Sequence, residues 1–181
     1  MKKSYVNYLI IAMCFSIFST AWGQEPTPRL RFRTNLTGAQ EVTPPPPPSG
    51  VLTDTRGRAE VRFNRGLSAA TVEVVVRGGT GIIQAHLHCA SAGVNGPIAV
   101  TLFDIPPPGQ DINGELVRLT VENDDITDVS ADAACGVPIN NIAALAFAMV
   151  AGRIYVNVHS TANPAGEIRG QLLLGIEQCV R

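Results

Sequence analysis

Short segments in which polar and apolar residues alternate recur along most of the chain, and they constrain the fold more than any other feature. The clearest is ATVEVVVR at residues 70–77, in which Val72, Val74 and Val76 share one side. Because side chains alternate between the two faces of a β-strand, this pattern predicts a strand with one buried face. Clusters of Gly, Pro, Asn and Asp separate the segments and predict turns.

About eight strands and one helix are predicted. The strand segments are residues 29–35, 57–64, 70–77, 81–88, 98–103, 115–121, 154–159 and 167–174. We expect Gly78 and Gly79 to end the strand at 70–77. NNIAALAFAMVA at residues 140–151 has apolar residues at helical spacing, and Gly152 after it favours helix termination. This arrangement predicts an all-β fold, an antiparallel sandwich or barrel with one short helix.

The first 23 residues have the pattern of a cleavable signal peptide. Lys2 and Lys3 precede a largely apolar stretch, and Ala21 and Gly23 are the small residues expected just before a cleavage site. Cleavage after Gly23 predicts a secreted or periplasmic protein with no membrane span left in it. Residues 24–32 are expected to be a disordered lead, residues 33–174 one domain and residues 175–181 a tail.

The charge of the cleaved chain disfavours nucleic acid as a partner. Both lysines belong to the leader, so 12 arginines face 15 acidic residues and the net charge is −3. Domains that bind nucleic acid are normally basic. The basic residues that remain are all arginines, a bias that none of the predicted functions explains.

Three cysteines remain after cleavage, namely Cys89, Cys135 and Cys179. A disulfide is expected in an exported protein, and we predict the pair Cys89–Cys135 because both residues lie within the domain. Three states stay open for Cys179: free, paired between molecules, or an alternative partner within the chain. Burial of some or all of the three as unpaired thiols is the competing interpretation.

All three histidines of the chain lie on predicted strands. His86 and His88 share one face of their strand, because they are two residues apart. The same rule gives two further polar faces on later strands: Tyr155, Asn157 and His159 on one, and Glu167, Arg169 and Gln171 on the other. If the three strands are neighbours, these residues form one polar patch that contains every histidine.

Three interpretations of this polar patch stay open. Three imidazoles from two strands are typical of zinc and copper sites, so His86, His88 and His159 are candidate ligands of copper or zinc. Alternatively, the histidines, Glu167 and Arg169 pair with neighbouring groups and fix the strand register. In the third interpretation the patch recognises a partner.

Nothing in the sequence predicts a catalytic residue, and a role without catalysis is favoured. The chain has no G-x-S-x-G motif and no glycine loop of the phosphate-binding kind. Cys89 directly follows His88, but consecutive residues of a strand point to opposite faces, which separates this thiol from its nearest candidate base.

Five segments of the chain carry a family resemblance. They are LTGAQEVTPP (36–45), GRA (57–59), AHLH (85–88), GVNGP (93–97) and GRIYVNVHSTANPAGEIRGQL (152–172). Together they resemble the CHRD domain, a module named after chordin and also found in secreted bacterial proteins. The resemblance covers roughly residues 33–174 and implies an immunoglobulin-like antiparallel β-sandwich.

The resemblance implies a compartment and a broad role but no settled activity. In chordin, the domains belong to an extracellular antagonist of growth-factor signalling. We therefore expect a structural or interaction module of the cell envelope or extracellular space, with a protein or an envelope component as partner. The five prolines at residues 44–48 are a second candidate element for docking a partner, because such a run adopts an extended, stiff conformation.

A more distant resemblance is to the copper/zinc superoxide dismutases. His86-Leu87-His88 is similar to the copper-binding H-V-H strand of that family, and Val158-His159 is similar to its late V-H copper ligand. The bridging histidine and the remaining zinc histidines have no counterpart, because the chain has no fourth histidine. A complete dismutase centre is therefore excluded, whereas a three-histidine copper or zinc site is not.

Overall fold

The computed structural model describes residues 30–43 and 50–175 of the 181-residue chain. The strands and the helix of this part are β1 Arg31–Thr37, β2 Arg56–Phe63, β3 Ala70–Cys89, β4 Ile98–Asp104, β5 Gln110–Val121, α1 Ile142–Val150, β6 Ile154–Ser160, β7 Ile168–Gln171 and β8 Leu173–Leu174. Short 3-10 helices occupy Gly38–Gln40 and Asn123–Asp125. The predicted signal peptide, the prolines at 44–48 and Cys179 lie outside the described residues.

The strands form one antiparallel sheet that closes on itself. Its order is β2-β1-β7-β6-β3-β4, and an additional pairing between β2 and β3 completes a ring of five strands. Outside this ring, β5 pairs with β3 and β8 pairs with β1. The predicted all-β sandwich or barrel with one short helix is confirmed, and the closure is that of a barrel.

The prediction that Gly78 and Gly79 end a strand is wrong, because β3 continues through them to Cys89. Gly78 and Gly81 have φ angles of 63° and 58°, which glycine adopts readily. The pairing of β3 with β5 shifts register on both sides of Gly79, as at a β-bulge. The strand therefore bends instead of ending. Its first half pairs with β2 and β5, and its second half pairs with β4 and β6.

Other boundaries differ from the predicted ones by a few residues. β1 begins at Arg31, within the range assigned to the lead. β5 begins at Gln110, five residues before the predicted start at 115. The last predicted strand is divided at Leu172, whose backbone N–H bonds to the carbonyl of Ile154. The helix is two residues shorter at its start, and Asn141 caps it by accepting a hydrogen bond from the N–H of Ala144.

Apolar side chains fill the interior of the ring, as the alternation predicts. Buried positions include Phe32, Leu36, Val61, Val72, Val74, Leu87, Val156 and Val158. Each large apolar side chain buried in this way contributes about 1.5–3 kcal/mol to stability. Helix α1 adds Ile142, Leu145 and Met149 to the same core.

The Cys89–Cys135 disulfide joins the end of β3 to the loop before α1. It is the pair predicted from the sequence. Both residues are fully buried.

In the described residues, no helix combines the length and the apolar character needed to cross a membrane.

Candidate metal centre

The three strands that carry the predicted polar patch are neighbours. β3 pairs with β6, and β6 pairs with β7. The register places His86 opposite Asn157 and His88 opposite Tyr155, and it places Asn157 opposite Arg169. The apolar residues between them face the ring interior, so this patch lies on the outer side of the ring.

The polar patch is buried although it lies outside the ring. His86, His88 and His159 are 4%, 9% and 7% exposed, and Arg169 is 2% exposed. The loop at residues 90–97 and the turn at 161–167 contact these side chains from outside. Gln171 is half-buried. Burial takes the histidines away from the surface on which a partner would dock.

The histidine rings are close enough to share one ion. Each offers a ring nitrogen, and these three atoms lie within 4.8 Å of one another. His86 Nδ1 is 3.1 Å from His159 Nε2. The ring centroids of His86 and His159 are 5.0 Å apart, and those of His86 and His88 are 5.4 Å apart.

Backbone carbonyls assign the tautomers of two histidines. His88 Nδ1 lies 2.9 Å from the carbonyl oxygen of Gly96, and His159 Nδ1 lies 3.0 Å from that of Pro164. A carbonyl oxygen only accepts, so both Nδ1 atoms carry the proton and donate it, and both Nε2 atoms keep a lone pair. His159 Nε2 accepts from His86 Nδ1. His88 Nε2 is buried and has no hydrogen-bond partner among the described residues.

The histidines are neutral near pH 7. Burial and the neighbouring His159 and His88 together lower the pKa of His86 to about 4. Burial likewise lowers the pKa of His88 to about 4 and lowers that of His159. A neutral imidazole is the form that binds a metal ion, so these rings do not have to be deprotonated from the imidazolium form before binding.

Tyr155 and Arg169 hold the loop that orients His88. The Tyr155 ring stacks on the His88 ring at a centroid distance of 4.9 Å. The Arg169 guanidinium lies 3.5 Å from the centroid of the Tyr155 ring. Arg169 donates to the side-chain oxygen of Asn95 and to the carbonyl of Val94. The Gly96 N–H donates to the Tyr155 hydroxyl. Hydrogen bonds from Arg169 and to Tyr155 therefore fix the position of the Gly96 carbonyl, which sets the tautomer of His88.

Glu167 fixes the turn at residues 161–167, which orients His159. Its carboxylate accepts hydrogen bonds from Thr53, Ser160 and Asn163. Burial alone would raise the pKa of Glu167, but these hydrogen bonds outweigh it and lower the pKa. The turn that is fixed in this way contains Pro164, whose carbonyl accepts from His159.

Glu41 is a buried acid at the site that the sequence analysis did not single out. It is 3% exposed, and Asn157 donates to its carboxyl group at 3.3 Å. Burial raises the pKa of Glu41 to about 7. A Cβ at Gly166 would lie within 2.8 Å of the carboxyl atoms, so only glycine leaves room for it. Glu41 lies in the segment 36–45 and Gly96 in the segment 93–97, and both segments carry the family resemblance.

The sequence profile of the CHRD domain matches residues 32–172. The match spans most of the chain, so the protein belongs to the CHRD domain family. Comparison with curated proteins and with solved structures gave no match.

Proposed function

We propose that this chain is an exported CHRD module that holds a copper or zinc ion on His86, His88 and His159. The observation that carries the proposal is the buried Nε2 of His88, which has no hydrogen-bond partner among the described residues. A buried acceptor left unpaired costs about 1–3 kcal/mol. A histidine retained only for structure would be expected to use both ring nitrogens, whereas a metal ligand needs one of them free.

The hydrogen bonds behind the rings support the same function. Histidines that bind metals usually donate their second N–H to a carbonyl or a carboxylate, which fixes the ring and the tautomer. His88 and His159 both do so here. The purely structural interpretation accounts for these two bonds equally well, but it does not account for the unpaired nitrogen.

The spacing of the ring nitrogens fits an ion after a small adjustment. Two nitrogens bound to a tetrahedral ion at about 2.1 Å lie roughly 3.4 Å apart. His86 Nδ1 and His159 Nε2 are already at 3.1 Å, and all three ligand atoms lie within 4.8 Å. The ion would replace the His86–His159 hydrogen bond, so His86 would move its proton to Nε2. A three-histidine site leaves a fourth position for water or another ligand.

Export is part of the proposal, and two features support it. The first 23 residues have the pattern of a signal peptide. The Cys89–Cys135 disulfide is of a kind that persists in oxidising compartments. A role as an interaction module of the envelope is compatible with a bound ion, which would then stabilise the module.

Metal titration of the mature protein, purified without a histidine tag, tests the proposal. Elemental analysis is followed by titration with Cu(I), Cu(II) and Zn(II). We expect about one ion per chain and an increase in the unfolding temperature, because an ion that binds only the folded state stabilises it. The variant His86→Gln/His88→Gln should lose the ion and keep its fold.

Thr120→Ala is the control. Thr120 is exposed on β5, opposite Thr71 in the first half of β3, so its loss should leave metal binding unchanged. Absence of bound ion together with an unaltered unfolding temperature in all three titrations would contradict the proposal. The histidines would then be structural parts of an interaction module.

A further inference from the structure

The outer face of β1, β2 and β3 carries a groove that the proposed metal centre does not use. A depression of about 730 Å³ is lined by residues of these strands and by Leu173. A second depression of about 200 Å³ adjoins it and shares Asn35 and Arg58 with it. The arginines that line the two are Arg31, Arg33, Arg56, Arg58, Arg62 and Arg77. The groove shares no residue with the histidine cluster.

This groove is strongly positive in a chain that is acidic as a whole. Half of the 12 arginines of the cleaved chain line it. Among the described lining residues, the acidic ones are Glu60 and Glu73. One carboxylate, Glu60, bonds three guanidinium groups, those of Arg31, Arg33 and Arg62. Among the described lining residues two carboxylates therefore face six guanidinium groups, and the groove concentrates the arginine bias seen in the sequence.

The positive charge is arranged at a cost to the fold. Arg56 lies directly opposite Arg77 across neighbouring strands. Like charges in directly opposed positions of a sheet are destabilising. Arg58 is 68% exposed, and its nearest carboxylate, that of Glu73, is 3.6 Å away. An anionic ligand would relieve the repulsion and accept the guanidinium N–H groups in pairs.

The dimensions of the groove favour a linear ligand. Arg56, Arg58 and Arg62 lie on one face of β2, and six residues of extended strand span about 20 Å. Asn35 lines the same groove, on the face of β1 that carries Arg31 and Arg33, and offers an amide for hydrogen bonds with neutral polar groups. A polymer that carries both repeated anions and hydroxyl groups matches this lining.

Two other polyanions fit less well. Single-stranded nucleic acid is normally held by aromatic side chains stacked on its bases, and none lines the described part of the groove. An acidic peptide often binds by adding a strand to a sheet edge. β2 offers no edge, because it is paired with β1 on one side and with β3 on the other.

We propose that the arginine groove on the outer face of β1, β2 and β3 binds a linear acidic polysaccharide, a polymer of sugars carrying carboxylate or sulfate groups. The arginines hold the acidic groups, and Asn35 hydrogen-bonds sugar hydroxyls. This site does not depend on the proposed metal, and it would anchor the module to an extracellular or envelope polymer.

Binding of alginate, a carboxylated polysaccharide, to the mature protein in the presence of a metal chelator tests the proposal, with neutral dextran as the blank. We expect saturable binding that weakens steeply with salt, because counterions are released from the polymer. Arg58→Gln should weaken binding about tenfold, since a charge-assisted hydrogen bond is lost. Arg58→Gln/Arg77→Gln should weaken it further.

Arg65→Gln is the matched control, because Arg65 is exposed in the turn after β2 and lies outside the groove lining. It removes the same charge and should change binding less than about twofold. Equal weakening by Arg65→Gln and Arg58→Gln would overturn the proposal in favour of a net-charge effect. Displacement of alginate by poly-glutamate at equal charge concentration would overturn it in favour of an acidic protein. Absence of binding at low salt would also overturn it.

Discussion

At the scale of a single residue, Arg169 links the Tyr155 ring to Asn95 and Val94 in the loop of the candidate metal centre. Its guanidinium lies against the Tyr155 ring and donates to Asn95 and Val94 in the loop that carries Gly96. A lysine has one point charge and cannot reproduce these planar contacts. The loop, and through it the orientation of His88, therefore depends on the shape of this side chain as well as on its charge.

Arg169→Lys should lower the free energy of unfolding by about 2–4 kcal/mol, because buried hydrogen-bonded groups lose their partners. It should also weaken metal binding about tenfold or more, since supporting residues around a metal site have effects of that size. Chemical denaturation and zinc titration measure the two effects. Arg153→Lys is the control, because Arg153 bonds Ser91 at the start of the same loop but does not contact the ring of Tyr155. Equal losses in both variants would contradict the prediction.

Glu41 gives the protein a pH dependence that can be isolated by substitution. Burial raises the pKa of Glu41 from 4.5 to about 7, so the folded state binds more protons than the unfolded state between these values. The contribution of this carboxyl to stability is present below pH 4.5 and is lost as the pH rises through 7. The lowered pKa values of His86 and His88 act in the opposite sense, since their contribution is lost as the pH falls from 6.5 to about 4.

Glu41→Gln should therefore become more stable relative to the unmodified protein as the pH rises from 5 to 8, by up to about 3 kcal/mol. The histidine contributions occur in both proteins and cancel in the difference. Denaturant unfolding of the metal-free proteins at several pH values measures this difference in the free energy of unfolding. A difference that stays constant with pH, or falls as the pH rises, would show that Glu41 titrates normally.

At the scale of an element, the start of helix α1 is capped by two side chains, Asn141 and Asn123, the latter of which accepts from the N–H of Ile142. The Asn141 side chain accepts from the N–H of Ala144, one of the N–H groups that a helix cannot satisfy itself. Asn141→Ala should lower the free energy of unfolding by about 1 kcal/mol. It should leave metal binding intact, because the helix holds none of the three histidines. Thermal unfolding and zinc titration test both parts, and Asn113→Ala at an exposed position of β5 is the comparison, with a smaller expected loss.

At the scale of the whole molecule, the disulfide restrains the far end of β3. It closes a loop with a sequence separation of 46 residues, for which the loss of chain entropy in the unfolded state amounts to about 4 kcal/mol. Cys89→Ala/Cys135→Ala should be less stable by roughly this amount. His88 directly precedes Cys89, so metal affinity should fall as well. Denaturant unfolding of the variant checks the first effect, and an unchanged midpoint would contradict the entropic account.

The alternating segments predicted most of the strands and their faces, because side-chain alternation is a local property of the strand. The predicted total of eight strands agrees only because β3 joins two predicted segments and the last predicted segment is divided into β7 and β8. The same rule placed His86 with His88, and Tyr155 with His159, on their respective faces. The rule has no information about which strands pair. It also did not show that Gly78 and Gly79 bend β3 instead of ending it, since a glycine with positive φ fits a turn and a bulge equally well.

The sequence by itself determined the all-β class and the identity of every candidate metal ligand, because these follow from residue type and local spacing, and it favoured the Cys89–Cys135 pair over pairing with Cys179. Only the tertiary structure decided that the histidines are buried, that carbonyls of Gly96 and Pro164 set their tautomers, and that one nitrogen of His88 is left unpaired. The physical reason is that burial and hydrogen-bond satisfaction depend on loops distant in sequence, and the closing of the ring brings those loops over the outer face of β3, β6 and β7.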